Sequence, residues 1–123
     1  MSLPERTTGV EAEPTVLVGV YLSPPADPVD PLAELAGLAT TAGANVVAEL
    51  IQRRHEPDQR TYLGRGKLLE LVALVEHYDA DVVMFDNDLS PAQTRNLERE
   101  LGCKVLDRSE VILDIFAARA RTH

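Results

Sequence analysis

The chain has 123 residues, of which 45% are hydrophobic and 26% charged, a composition typical of an ordinary soluble globular domain. Its formal net charge of −8 argues against indiscriminate binding to nucleic acid, and no apolar run approaches the roughly 20 residues of a membrane span. The single cysteine excludes an internal disulfide and favours a reducing, cytoplasmic compartment.

The first half of the chain predicts a tail, two strands and one helix. Residues 1–14 lack periodicity and are expected to form a loose N-terminal tail. The β-branched run Thr15–Leu22 predicts the first strand, and the prolines after it exclude helix and central strand. A helix with a leucine stripe is expected from Asp30-Pro31 to Gly43, followed by a strand at Asn45–Gln52.

The second half predicts two further strands and three helices. The connection His55–Leu63 is longer than usual for such units, and loops of this kind are either functional or disordered. The expected elements after it are a helix from Gly64 to about Tyr78, a strand at Val82–Phe85, a helix from Ser90-Pro91 to Leu101, a strand at Cys103–Leu106 and a helix at Ser109–Ala120.

This alternation predicts an α/β fold for residues 15–123, a single domain with a four-stranded, mainly parallel sheet flanked by helices on both faces. We expect the flavodoxin-like strand order 2-1-3-4. Ligands of such sheets bind at the carboxyl ends of the strands. Those ends are the proline loop after Leu22, the basic loop after Gln52, the run Asp86–Asp88, and Asp107-Arg108.

The negative charge of the chain is uneven. Between Gln52 and Lys67, five cations outweigh Glu56 and Asp58, so any contact with a polyanion is expected there first. The cations are Arg53, Arg54, Arg60, Arg65 and Lys67.

The segment Gly64–Lys67 is the most suggestive short motif. Its two glycines allow a backbone to approach a phosphate, and the helix start behind it offers free N–H groups. It is not a P-loop, because Thr61 stands where that motif needs a glycine and Leu68 where it needs Ser or Thr. Two interpretations stay open, contact with a phosphate or RNA backbone and a merely flexible helix start.

Other polar residues allow weaker hypotheses. The run Asp86–Asp88 offers oxygen ligands for Mg²⁺, but Asp and Asn also favour a turn after a strand for local reasons. The three histidines have no zinc-like spacing, so no metal site is expected. Cys103 is expected to be a buried, inert thiol.

Three blocks together resemble one family. They are Tyr62–Lys67, Asp86–Glu98 and Val105–Thr122, and the sequence around them is similar to the N-terminal domain of the HflX family of ribosome-associated GTPases. The resemblance covers about Val16–His123. In that family a helical hairpin and a GTPase domain follow, and neither is present here, so we expect an excised domain without catalytic residues of its own.

The resemblance implies a function for the longer protein. HflX-type GTPases use GTP and Mg²⁺, bind the large ribosomal subunit and its RNA in the cytoplasm, and split or rescue stalled ribosomes, particularly under stress. The resemblance therefore implies a ribosome- or RNA-binding and regulatory domain, monomeric and without a membrane partner. Candidate nucleotide- or RNA-binding residues are Gly64, Arg65, Gly66, Lys67, Arg53, Arg54 and Arg60.

Two alternatives to ribosome binding remain. One is an ATP-binding domain with activity linked to RNA unwinding, as described for some family members. The other is a scaffold that packs against its own helical hairpin and GTPase domain. Candidate interface residues for that scaffold are Asp107, Arg108, Asp114, Arg119 and Arg121.

Overall fold

The computed structural model describes residues 13–25 and 28–121, with side chains as far as residue 117. Strands and helices alternate throughout: β1 (Pro14–Tyr21), α1 (Ala33–Thr41), β2 (Asn45–Arg53), α2 (Arg65–Tyr78), β3 (Val82–Phe85), α3 (Pro91–Leu101), β4 (Lys104–Leu106) and α4 (Arg108–Arg121). Most of the predicted tail lies outside the described residues, and its last residue, Pro14, already belongs to β1.

The strands form one sheet in the order β2-β1-β3-β4, and all neighbouring strands are parallel. This result confirms the predicted fold class and strand order. The side on which successive strands are added to the sheet changes between β1 and β3. β2 lies beside β1 on one side, and β4 lies beside β3 on the other. The carboxyl ends of β1 and β3 therefore flank the position where doubly wound sheets commonly bind ligands.

Helices cover both faces of the sheet, as predicted. The pair α1 and α4 packs on one face around Leu17 and Met84, while α2 and α3 pack on the other around Val18 and Phe85. All four of these strand side chains are fully buried. The continuous apolar runs of β1 and β3 arise because successive side chains alternate between two buried faces.

Local sequence sets the start of α3 and the ends of α2 and α3. Ser90 and Gln93 form a reciprocal capping box at the start of α3. Gly102 ends that helix in the left-handed region at φ 71°, as its sequence predicts. Asp79 adopts the same conformation at φ 50° after α2, so this helix ends without a glycine.

The start of α1 differs from the prediction. The helix begins at Ala33 after Leu32, with no side-chain cap, so the expected start at Asp30-Pro31 is wrong. The backbone N–H of Ala33 donates to the Asp30 carbonyl at 3.2 Å, which makes this segment a turn leading into the helix. Asp30 and Pro31 are thereby left at the carboxyl edge of the sheet, where they line a cleft.

Candidate functional site at the carboxyl edge of the sheet

The side chain of Asn87 joins the ends of the two central strands. Its Oδ1 accepts from the Val20 N–H at 2.9 Å, and its Nδ2 donates to the Val20 carbonyl at 2.7 Å. The amide thus continues the backbone ladder between β1 and β3 by one pair. Because this residue bonds to backbone, the run Asp86–Asp88 serves as a structured turn.

A cluster of polar side chains forms beside that turn. The Tyr21 hydroxyl donates to Asp86 Oδ2 at 3.1 Å and also lies 3.0 Å from the Pro31 carbonyl. Arg108 Nη1 donates to Asp86 Oδ1 at 3.0 Å, and its Nη2 contacts the Glu34 carboxylate. Burial raises the pKa of Asp86, and burial together with the neighbouring Asp86 raises the pKa of Tyr21.

Gly19 makes room for this cluster. A Cβ added at Gly19 would lie 2.6 Å from the Tyr21 hydroxyl oxygen and 2.9 Å from Leu32. The Tyr21 side chain therefore folds back along its own strand, which is how its hydroxyl reaches Asp86.

An open cleft of about 550 Å³ lies between the proline loop, the start of α1 and the polar cluster. Its wall carries the carboxylates of Asp30, Glu34 and Asp86 and one guanidinium, that of Arg108. The remaining lining residues are Val20, Tyr21, Leu22, Ser23, Pro24, Pro25, Pro31, Ala33, Tyr62 and Asn87.

The glycine-lysine segment lies on the other side of the proline loop, at the start of α2. Gly64 precedes the helix without a side-chain cap, and its own N–H donates to Gln52 Oε1 at 2.8 Å. A Cβ on Gly64 would overlap the Arg54 guanidinium, so the missing side chain lets Arg54 lie over the helix start. Arg54, Gly64 and Arg65 are therefore neighbours.

The predicted binding cations differ in how they are paired. Lys67 Nζ lies 2.9 Å from Glu70, and Arg60 lies 3.4 Å from Glu100. Arg54 Nε donates to a backbone carbonyl at 2.9 Å. Arg53 and Arg65 are exposed, and neither forms an ion pair within the described part of the chain.

We call Arg53, Arg54, His55 and Arg65 the basic surface. The first three of these line a cleft of about 220 Å³ together with Tyr21 and the proline loop. Arg65 lines a separate cleft, in which Arg60 is accompanied by Asp58 and Glu100. The basic window of the sequence contains Arg60 together with the arginines of the basic surface, and only the structure shows that Arg60 is paired with Glu100.

The long loop before α2 is held in place by its own turn and by α3. Asp58 Oδ1 accepts from the N–H groups of Arg60 at 2.8 Å and Thr61 at 3.0 Å. Gln93 Nε2 donates to the Asp58 carbonyl, and Asn96 Nδ2 to the Arg60 carbonyl, both at 3.0 Å. Hydrogen bonds from the Thr61 and Arg60 N–H groups lower the pKa of Asp58.

The candidate interface residues are not equivalent. Asp107 is buried, and it accepts from the Leu89 N–H through one oxygen and from the Glu110 N–H through the other, so it caps α4. Arg108 lines the cleft, and Asp114 is half-buried on α4. The side chains of Arg119 and Arg121 lie outside the described residues.

The outer face of α4 carries two exposed apolar side chains, Leu113 at 65% and Phe116 at 60% exposure. From the sequence, an apolar stripe of this helix is expected at Val111, Ile112, Ile115 and Phe116, but Phe116 is exposed and does not pack with the others. Val111 is buried, as predicted, and Ile115 packs partly buried against the same core. Phe116 instead shares the exposed side with Leu113, three residues earlier.

No cluster among residues 13–25 and 28–121 has the three or more His, Cys, Asp or Glu side chains needed to hold a metal ion. In the run Asp86–Asp88, Asp88 Oδ1 accepts from the Ser109 hydroxyl at 2.8 Å. The turn interpretation is therefore favoured over a Mg²⁺ site. Among the same residues, no helix is long and apolar enough to span a bilayer.

Tyr21 and Glu34 are residues of the polar cluster that sequence reasoning missed. For Tyr21 the available signal was position, because it ends a strand. Glu34 gave no signal, because its place in the site depends on where α1 packs.

A family described as "GTP-binding GTPase N-terminal" matches residues 30–117. The chain is 44% identical over 111 residues to the GTPase HflX of Escherichia coli, covering 90% of this chain and 26% of that protein. It is 47% identical over 91 residues to the GTPase HflX of Alkalihalophilus pseudofirmus, covering 74% of this chain and 22% of that protein. The chain thus spans about a quarter of the length of these relatives.

Solved structures support the fold alone. A complex of the protein SsGBP with GDP matches 88% of this chain and 30% of its own, with a TM-score of 0.65 and 23% identity. A GTP-binding protein of Sulfolobus solfataricus in complex with GDP matches 84% of this chain and 30% of its own, with a TM-score of 0.60 and 24% identity.

Proposed function

Because the chain belongs to the GTP-binding GTPase N-terminal family, as the N-terminal domain of an HflX-type GTPase, we propose that it binds RNA of the large ribosomal subunit. In this proposal it regulates a GTPase domain elsewhere in the longer protein. GTP and Mg²⁺ act in that other domain, and the whole protein separates or rescues stalled ribosomes in the cytoplasm. We propose that it does so as a monomer.

The observation that carries this proposal is the basic surface. Arg53 and Arg65 project to solvent without an ion pair among the described residues, and Arg54 lies beside the uncapped start of α2. Guanidinium groups and free helix N–H groups are both suited to phosphate oxygens. The net charge of −8 opposes RNA binding by the chain as a whole, so we expect binding through this surface to be weak and to weaken further as salt rises.

Co-sedimentation of the full-length protein with large ribosomal subunits tests this assignment. The double substitution Arg53→Ala with Arg65→Ala should reduce binding about tenfold, since each lost phosphate contact lowers affinity by a few-fold. The matched control is Arg95→Ala with Arg99→Ala, which removes the same charge from the exposed face of α3. Unchanged binding of the first variant, or equal loss in both, would contradict the assignment of this surface.

A second candidate function is docking of the other parts of the longer protein, its helical hairpin or GTPase domain. The exposed pair Leu113 and Phe116 favours it, because adjacent large apolar side chains on one helix face are common at interfaces. Replacing both with Ser should lower the melting temperature or change the GTPase rate of the full-length protein while leaving ribosome affinity unaltered. An identical melting curve and GTPase rate would count against docking at this face.

ATP binding by this chain has less support. The lysine of the glycine-lysine segment is paired with Glu70, and the 550 Å³ cleft carries more carboxylates than cations. Both features oppose a triphosphate.

A further inference from the structure

The two outer strands of the sheet differ in how their outward backbone groups are satisfied. β4 has three residues, and the outward N–H of Val105 donates to the Glu98 carboxylate at 3.1 Å, which covers that edge. β2 has nine residues, and β1 is its only neighbour among the described strands. A long edge strand without such cover is a template for pairing with a further strand.

The hydrogen bonds of β2 to β1 show which of its backbone groups point outward. The Arg54 N–H donates to the Tyr21 carbonyl of β1 at 3.1 Å, and the register between the strands is unbroken from Glu49 onwards. Because residues of a parallel strand face its two sides alternately, the N–H and carbonyl groups of Glu49, Ile51 and Arg53 point away from β1. Within residues 13–25 and 28–121, these outward groups form no hydrogen bond.

The side chains along this edge are complementary to themselves. Ile51 is 38% exposed, and Glu49 and Arg53 are exposed at equal distances to either side of it. If two copies of β2 pair in antiparallel fashion about Ile51, Glu49 of each copy lies opposite Arg53 of the other. Opposite charges and apolar pairs at directly opposed positions stabilise an antiparallel ladder, whereas parallel pairing in register would oppose like charges.

We propose that two copies of this chain associate through β2 about a twofold axis at Ile51, which joins their sheets into one. In this register the opposed residues are those with outward backbone groups, so each opposed pair can exchange two backbone hydrogen bonds. The contact is isologous, because the same strand serves both copies. The net charge of −8 on each copy opposes association, and an interface of one strand pair is small, so the dimer is weak and reversible.

The dimer would also affect the basic surface, to which Arg53 belongs. In the dimer the Arg53 guanidinium faces the partner's Glu49 and is not available to a phosphate. This consequence rests on the proposed function: association through β2 and RNA binding then compete, so the dimer is the form without RNA and the monomer is the form that binds the ribosome.

Sedimentation velocity of the purified chain, at about 0.15 M salt to screen the net charge, tests the proposal. A reversible dimer is expected, with a dissociation constant on the order of 10–100 μM, in the range of small interfaces. Glu49→Arg should weaken the dimer about tenfold or more, because two attractive pairs become two repulsive ones. Glu49→Arg with Arg53→Glu only exchanges the partners of each pair, so it should restore the affinity to within about threefold.

Glu76→Arg is the matched control, because it makes the same change of charge at an exposed position of α2, and it should leave the dimer unchanged. Glu49 is exposed, so its variant should keep the fold, which a melting curve checks.

Three results would overturn the proposal. The first is a chain that sediments as a monomer up to about 300 μM, well above the expected dissociation constant. The second is a dimer that Glu49→Arg and Glu76→Arg weaken equally, or that the double exchange does not restore. The third is a dimer that Glu49→Arg leaves intact and that Leu113→Ser with Phe116→Ser abolishes, which would assign association to α4. No RNA is present in these measurements, so a failure of the ribosome proposal would leave their outcome unchanged.

Discussion

At the scale of single residues, the site depends on two glycines as much as on its polar side chains. Gly19 and Gly64 lie on opposite sides of the proline loop, and each leaves space for a longer polar side chain, Tyr21 or Arg54. Gly64 has φ −68°, an ordinary backbone conformation. Its value is therefore space for a guanidinium and not access to the left-handed region.

Asp58 makes the stability of the long loop depend on pH. Its folded-state pKa lies below the ordinary 3.8, because backbone N–H groups bond the charged form. That stabilisation is complete above the unfolded pKa and is lost as pH falls through the folded pKa. At about pH 6 we expect the unsubstituted chain to have a higher melting temperature than Asp58→Asn. This difference should narrow towards about pH 3. A difference in melting temperature that stays constant across this range would contradict the assignment.

At the scale of elements, Asp107 connects α4 to the loop that precedes α3. Its two carboxylate oxygens accept from the Glu110 and Leu89 N–H groups at 2.9 Å and 3.1 Å. The Asp107 N–H donates to the Glu110 carboxylate at 3.2 Å, which completes a capping box. Asp107, a candidate interface residue, therefore has a structural role inside the domain as the N-cap of α4.

Asp107→Ala should lower the free energy of unfolding by about 2–3 kcal/mol, because it removes a cap and leaves the Leu89 N–H without its partner. Ser90→Ala is the comparison, since it removes only the exposed cap of α3 and should cost about 1 kcal/mol. Urea unfolding of both variants at neutral pH measures the difference. Equal, small losses would show that the bond to Leu89 contributes little.

At the scale of the whole molecule, the parallel sheet brings polar segments from different parts of the chain together at one edge. The loop after β1, the end of β2 and the turns after β3 and β4 are far apart in sequence and adjacent in space. The edge is divided by charge, with arginines beside β2 and carboxylates between β1 and α1. In the proposed function, RNA approaches the arginine side of this edge.

The sequence by itself determined the element order, the parallel sheet and the family, whereas the expected strand order 2-1-3-4 needed the structure for its confirmation. Apolar runs of strand length, a serine-proline start and a glycine stop are local signals that need no tertiary knowledge. It also located the basic window, because charge can be counted along the chain.

Only the tertiary structure decided which polar groups meet. The pairing of Arg60 with Glu100 and of Arg108 with Glu34 joins residues 40 and 74 positions apart. The late start of α1 and the exposure of Phe116 likewise follow from how helices pack on the sheet. Long-range pairing depends on the relative placement of whole elements, and no local pattern in the sequence encodes that placement.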